Sequence, residues 1–268
     1  MRKLASLFAF VLFATIGFAQ TADEVINKFI EATGGKQKLD AINTLQYSQL
    51  IKLQSPMGAF ELPVDFYKEK GKMARIQSSI QMGPESMNFY TLVNDTAGYI
   101  MLPANPFTGA EGGLQKMSAE DRKANLQQTD VQGIFPALVN YAAKGNKVEK
   151  LQDAKVNNED TYKIKLTDAT GQETIYYFSK TSNLIVRQDA KGAAAANLSG
   201  MGGLMNSMGA GGRIEKMETT ILYNNYIDVE GIKFPTKMTI KTAMGDSEAE
   251  YSNIKVNQPI DAKWYKAE

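Results

Sequence analysis

The sequence predicts a mainly β fold with helices, an α+β architecture built on one curved antiparallel sheet. Three observations predict it. From Leu45 onward the apolar residues recur with period two, in runs rich in Tyr, Phe, Val and Ile. Gly, Pro and Asn-Asp breaks separate the early runs with no helical pattern between them, so neighbouring strands pair antiparallel and in sequence. The runs number about a dozen, and an open sheet of that width tends to curl or close.

The chain opens differently. Arg2 and Lys3 precede an apolar run from Leu4 to Phe18 that ends in small residues, Gly17 and Ala19. This pattern predicts a secretory signal peptide over residues 1–19, too short to cross a bilayer as a helix. Residues 20–268 are then a single exported domain, expected in the periplasm. With no cysteine in the chain, acylation of a mature N-terminus is not expected, so the protein is predicted to be free of a lipid anchor. At this size the core supplies stability without disulfides.

Composition narrows the chemistry. There is no histidine and no cysteine, which removes serine and cysteine triads, thiol redox chemistry and the usual zinc sites. The formal charge is +1 with no block of either sign, so no nucleic-acid footprint is expected. The acidic residues are scattered singly, and the glycines of 200–205 lack the third glycine of a dinucleotide fingerprint. No catalytic residue, metal site or cofactor is therefore predicted. A carboxylate-dependent hydrolase, its two acids brought together from distant strands, stays open as an alternative.

Thr21 and Glu24 stand at capping-box spacing before a helix whose face is Val25, Ile26, Phe29 and Ile30, and Gly34-Gly35 ends it. Lys36 to Ile42 predicts a second short turn of helix. Strands follow to Leu102. Residues 103–146 then interrupt the sheet, with a loop, a helix beginning near Ser118, and a second helix from about Val131 to Ala143. On that helix Ile134, Phe135, Leu138, Val139 and Ala142 make an apolar stripe, which covers either a sheet face or the mouth of a barrel. Strands resume from Lys147 to the end, broken by residues 192–213. That stretch of Ala, Gly and Met is expected to be a flexible loop, and its Met201, Leu204, Met205 and Met208 suit a lid over an apolar ligand.

Several stretches resemble a known family. Ala22 to Lys36 with Leu39 and Ile42 looks like the opening of outer-membrane lipoprotein-sorting proteins of the Bacteroidetes. Tyr177-Phe178-Ser179-Lys180-Thr181-Ser182-Asn183-Leu184-Ile185-Val186-Arg187 is similar to paired strands of the LolA/LolB-like lipoprotein carrier superfamily, and so are Tyr226 to Lys237 and Tyr251 to Ile260. The resemblance implies a strongly curved, unclosed antiparallel β barrel, with helices covering its concave face and an apolar cavity for acyl chains. On that basis the protein is expected to be a non-catalytic carrier or sensor. Its partner would be a lipid or lipoprotein acyl chain, held by Ile134, Phe135, Leu138 and Val139 beneath the 192–213 lid, with peripheral membrane contact compatible with the role. The alternative is an envelope protein-interaction module without lipid.

Overall fold

The computed structural model describes residues 20–55, 58–82, 85–104, 111–198, 214–243 and 245–267. The signal peptide expected at 1–19 lies outside them. The helix at Ala22–Ala32 (α1) forms as its pattern requires. Thr21 Oγ1 accepts from the Glu24 amide at 3.2 Å, while a Glu24 carboxylate oxygen accepts from the Thr21 amide at 3.0 Å. Both orphan donors are thereby satisfied. Val25, Ile26, Phe29 and Ile30 are buried. A short helix, Lys36–Asp40 (α2), buries Leu39.

Thirteen strands make one antiparallel sheet in the described residues. They are β1 (Thr44–Ser55), β2 (Gly58–Glu69), β3 (Met73–Met82), β4 (Glu85–Asn94), β5 (Gly98–Leu102), β6 (Gly113–Lys116), β7 (Lys147–Val156), β8 (Glu159–Thr167), β9 (Glu173–Ser179), β10 (Ile185–Lys191), β11 (Glu218–Val229), β12 (Ile232–Thr242) and β13 (Gly245–Val256). The spatial order runs β6-β5-β4-β3-β2-β1-β13-β12-β11-β10-β9-β8-β7. Only the β1/β13 pairing joins elements far apart in sequence, with Leu45 opposite Val256 and Ile51 opposite Ala249. Two meanders are thus zipped side by side, and the outermost strands β6 and β7 are not paired with each other, so the sheet stays open rather than closing into a barrel. The free edge at β7 carries Lys147, Glu149, Lys150, Asp153 and Lys155 and a register break between Leu151 and Ala154, the devices that keep an edge from pairing with another chain.

Helices and turns cover one face. The main core joins α1, Leu39 and residues 131–139 to Leu45, Tyr47 and Ile51 of β1 and to inward residues of β8 through β13. Phe29 makes edge-on contacts with Phe178 of the sheet, at 5.5 Å between ring centroids, and with Phe135, at 5.9 Å.

Three local expectations are corrected. Residues 131–143 are not one helix: 3-10 turns at Pro136–Leu138 and Tyr141–Lys144 are joined by irregular chain. Gly133 at φ 81° and Asn140 at φ 53° leave the right-handed helical region, and Pro136 cannot donate to an upstream carbonyl. The 192–213 stretch begins as a helix, Gly192–Leu198 (α4), with Ala194, Ala195 and Ala196 buried. Alanine is the best helix former and lets backbones approach closely; Thr219 Oγ1 donates to the Ala195 carbonyl at 3.0 Å. Finally, the expected loop before Ser118 contains β6.

The outer face carries a second, smaller core. Met73, Tyr90 and Leu92 are buried with Tyr67, Tyr99 and Met101 beneath the C-terminal tail. The single tryptophan, Trp264, stacks on Tyr67 at 4.7 Å, and the Arg75 guanidinium lies 3.7 Å from the Tyr90 ring centroid and 5.4 Å from that of Trp264. Arg75 also donates to the Lys266 carbonyl at 2.9 Å. Tyr67→Ala is therefore expected to move tryptophan emission to longer wavelength while far-ultraviolet circular dichroism stays unchanged. Unaltered emission would show that the stack does not hold the tail in solution.

Candidate functional site

The apolar face of the sheet divides into a covered half and a partly covered half. Over β1 and β8–β13 the cover is α1, α2 and the segment 131–144. Leu138 and Val139 are essentially fully buried, Phe135 is 7% exposed, and Ile134 is partly buried. Three of the eight sequence-predicted site residues, Ile134, Phe135 and Val139, line a recess with Phe29, Leu39 and Ile232, but its volume is only about 10 Å³. A drug-sized ligand needs roughly 300 Å³ or more, so this recess holds no acyl chain as it stands. Met201, Leu204, Met205 and Met208 of the expected lid lie outside the described residues.

Polar ties fix the covering segment along one edge. Asp40 accepts from the Gln132 side chain and, at 2.8 Å, from Asn140 Nδ2. Lys144 pairs with Asp130 and donates to Gln132 Oε1 at 2.7 Å and to the Pro136 carbonyl at 2.6 Å. The hydrogen bond from Lys36, with Asn140 adding to it, holds the Asp40 carboxyl below its usual range against the opposing pull of burial.

The other half of the face was not singled out by sequence reasoning. Residues directly opposite one another in antiparallel strands point to the same side, so the register extends the buried Leu45, Tyr47 and Ile51 outward. Tyr47 faces Phe66, Phe66 faces Ile76, Ile76 faces Thr91 and Thr91 faces Ile100. The adjoining rows place Leu62, Val64, Ile80, Met87, Phe89 and Leu102 on the same side, all only partly buried. Phe60, at its rim, is 46% exposed. Tyr47 stacks on Phe66 at 4.3 Å and meets Tyr251 edge-on at 5.2 Å, which ties this stripe to the main core. Period-two alternation foretold these strands, but it cannot tell a covered face from a bare one.

Lys68 brings a charge to this face. It lies opposite Leu45 and Ala74, and burial pushes its ammonium down to about 8, with Asp130 pulling it partly back. A depressed lysine penalises the folded state below that value, and the penalty fades as pH rises from about 8 toward the unfolded-state value near 10.4. Lys68→Met is accordingly expected to stabilise the fold at pH 7 by on the order of 2 kcal/mol, with the gain shrinking by pH 10. Urea denaturation at the two pH values checks this; a destabilised variant would contradict it.

Among the described residues no helix is long and apolar enough to cross a membrane, and no group of three or more His, Cys, Asp or Glu is placed to hold a metal. The arrangement is that of an open antiparallel sheet with one apolar face, half plugged by the chain's own helices and turns.

Solved structures that include a LolA superfamily protein share that architecture. The sequence matches no family model and no curated protein; the likeness lies in the structure. A LolA superfamily protein from Nitrosomonas europaea superposes with a TM-score of 0.55 at 13% identity, over 92% of this chain and 98% of its own. A DUF1329 family protein from Desulfovibrio piger gives 0.56 at 10% identity over the same shares. An outer membrane lipoprotein-sorting protein domain from Vibrio parahaemolyticus gives 0.52 at 11%, over 90% of this chain and 97% of its own.

Proposed function

We propose that the protein binds the acyl chain of a lipid or lipoprotein and serves the cell envelope as a non-catalytic carrier or sensor. The observation that carries the reading is the partly covered apolar face of β2–β5, running without a break into the plugged half at Tyr47 and Phe66. The site is therefore placed on that face, with Ile134, Phe135, Leu138 and Val139 forming the wall that borders it or yields to a longer chain. Support comes also from the lipoprotein-sorting domain of like fold and from the leader expected at residues 1–19, with which a role outside the cytoplasm agrees.

The energetics are adequate without a new cavity. Burial of a chain is worth about 0.8 kcal/mol per methylene, so a dozen methylenes laid on the stripe offset the loss of freedom on binding. If the segment 131–144 swings out, Val131, Phe135, Leu138 and Val139 lose roughly 1.5–3 kcal/mol each, a sum comparable to what the chain returns. A short chain would rest on the open stripe; a long one would displace the plug.

The test uses N-phenylnaphthylamine, a neutral apolar probe that fluoresces when buried. Saturable binding is expected, displaced by hexadecanol, with a rise in thermal stability of about 2.7 kcal/mol at one hundred times Kd. Ile80→Glu, which sets a charge on the stripe, is expected to weaken probe binding at least about tenfold, a difference of roughly 1.4 kcal/mol, while circular dichroism is unchanged. Absence of saturable binding together with an unshifted melting curve would overturn the proposal.

A further inference from the structure

Lys68 makes no hydrogen bond and no ion pair with any other described residue, although hydrogen bonds and ion pairs engage many of the lysines around it. Its position is unusual for a cation. Register puts it on the apolar side of the sheet, two residues along β2 from Phe66 and one row from the stripe of Phe66, Ile76, Thr91 and Ile100. Leu45, directly opposite, is fully buried, as is Ala74 across the other strand pair. The carboxylate that acts on Lys68 is Asp130, and Asp130 is already bridged to Lys144. Two ammonium groups thus share one carboxylate at this end of the face. The 3-10 turn Leu126–Thr129 packs against β2, β3 and β4.

A half-buried ammonium with no hydrogen-bond acceptor is costly unless something completes it. An elongated apolar stripe that ends at a positive charge whose one carboxylate is shared with Lys144 has the polarity of a single-chain anionic amphiphile. We propose that Lys68 anchors the head group of the bound ligand and that the ligand class is a long-chain carboxylate, its tail on the β2–β5 stripe and its carboxylate on the Lys68 ammonium. This rests on the acyl-binding reading above and narrows it, since a carboxylate is the smallest head that supplies the missing charge. A charge-assisted hydrogen bond in a partly desolvated setting is among the stronger polar contacts, so it would select between ligands with the same tail.

The experiment compares hexadecanoate with hexadecanol as competitors for N-phenylnaphthylamine, on the full chain and on Lys68→Met, at pH 7. On the native protein hexadecanoate is expected to displace the probe at about one-tenth the concentration hexadecanol requires, a preference of roughly 1.4 kcal/mol. On Lys68→Met the two are expected to be equipotent, with hexadecanol unchanged. Lys68→Arg, which restores the charge, is expected to restore the preference. Equal potency on the native protein, or a preference that survives in Lys68→Met, overturns the head-group assignment and leaves the apolar site standing. Failure of the probe to bind any of the three proteins overturns both the site and the anchor.

Discussion

Phe135→Ala is expected to lower stability by about 3–5 kcal/mol, the range for removing a large aromatic from a core. Phe135 is where three parts of the molecule meet. Its ring stands edge-on to Phe29 of α1 and, at 5.0 Å and 81°, edge-on to Tyr223 of β11. Each such pair adds about 0.5–1.5 kcal/mol beyond the area it buries. The segment that carries Phe135 has only short 3-10 turns of its own, so its place depends on side-chain burial and on the polar ties to Asp40 and Asp130. Loss of the ring should therefore loosen the whole of residues 131–144 and enlarge the recess beside it. Urea denaturation gives the stability change, and stopped-flow uptake of N-phenylnaphthylamine should be faster than in the native protein. A variant as stable as the parent would show that the segment is held by its polar edge alone.

Gly34→Ala is expected to destabilise by about 2–6 kcal/mol, because two penalties add: backbone strain of about 1–3 and overpacking of about 1–3. Gly34 has φ 128°, and a β-carbon built there would stand 2.4 Å from the Gly231 carbonyl oxygen and 3.2 Å from the Ile232 α-carbon. Both are backbone atoms and cannot rotate aside. The contact is the one that seats α1 on the β11–β12 turn, where the Lys233 amide donates to the Thr33 carbonyl at 2.9 Å. Gly71→Ala is the control: Gly71 also has positive φ, at 67°, but nothing lies within 4 Å of the added carbon, so only the left-handed penalty of about 1–2 kcal/mol applies. Equal melting temperatures for the two variants would refute the packing half of the argument.

Much of this was legible in the sequence, for identifiable reasons. Alternation over Tyr162 to Leu166 or Phe234 to Lys241 reads directly as half-buried strand, and the Thr21/Glu24 box reads as a helix start, since both signals are local. The 131–143 stripe was half right. Phe135, Leu138 and Val139 are buried as expected, while Ile134 is only partly buried and Ala142 is exposed; Gly133 and Pro136 within the pattern stop a continuous helix, and the spacing of apolar residues alone cannot register that. Ala193 to Ala196 read as loop only because of the glycines that follow, although four alanines in a row favour helix whatever follows them. The stripe on β2–β5 was invisible for a different reason. Phe66, Ile76 and Ile100 look like any inward strand residues, and only the three-dimensional extent of the cover shows that, among the described residues, the helices leave them partly exposed. Lys68 was hidden likewise, since a lysine among strand residues is ordinarily read as an outward one.

The two borders of the sheet set a condition on how such a molecule can work. β6 is four residues long and wholly exposed, and β7 bristles with charges and is broken in register. A sheet with an oily surface and two inviting margins is prone to pair edge to edge and stack into fibres. Short and charged margins let copies collide without annealing, so that under the proposed reading the greasy surface stays available to a hydrocarbon tail rather than to another copy of itself.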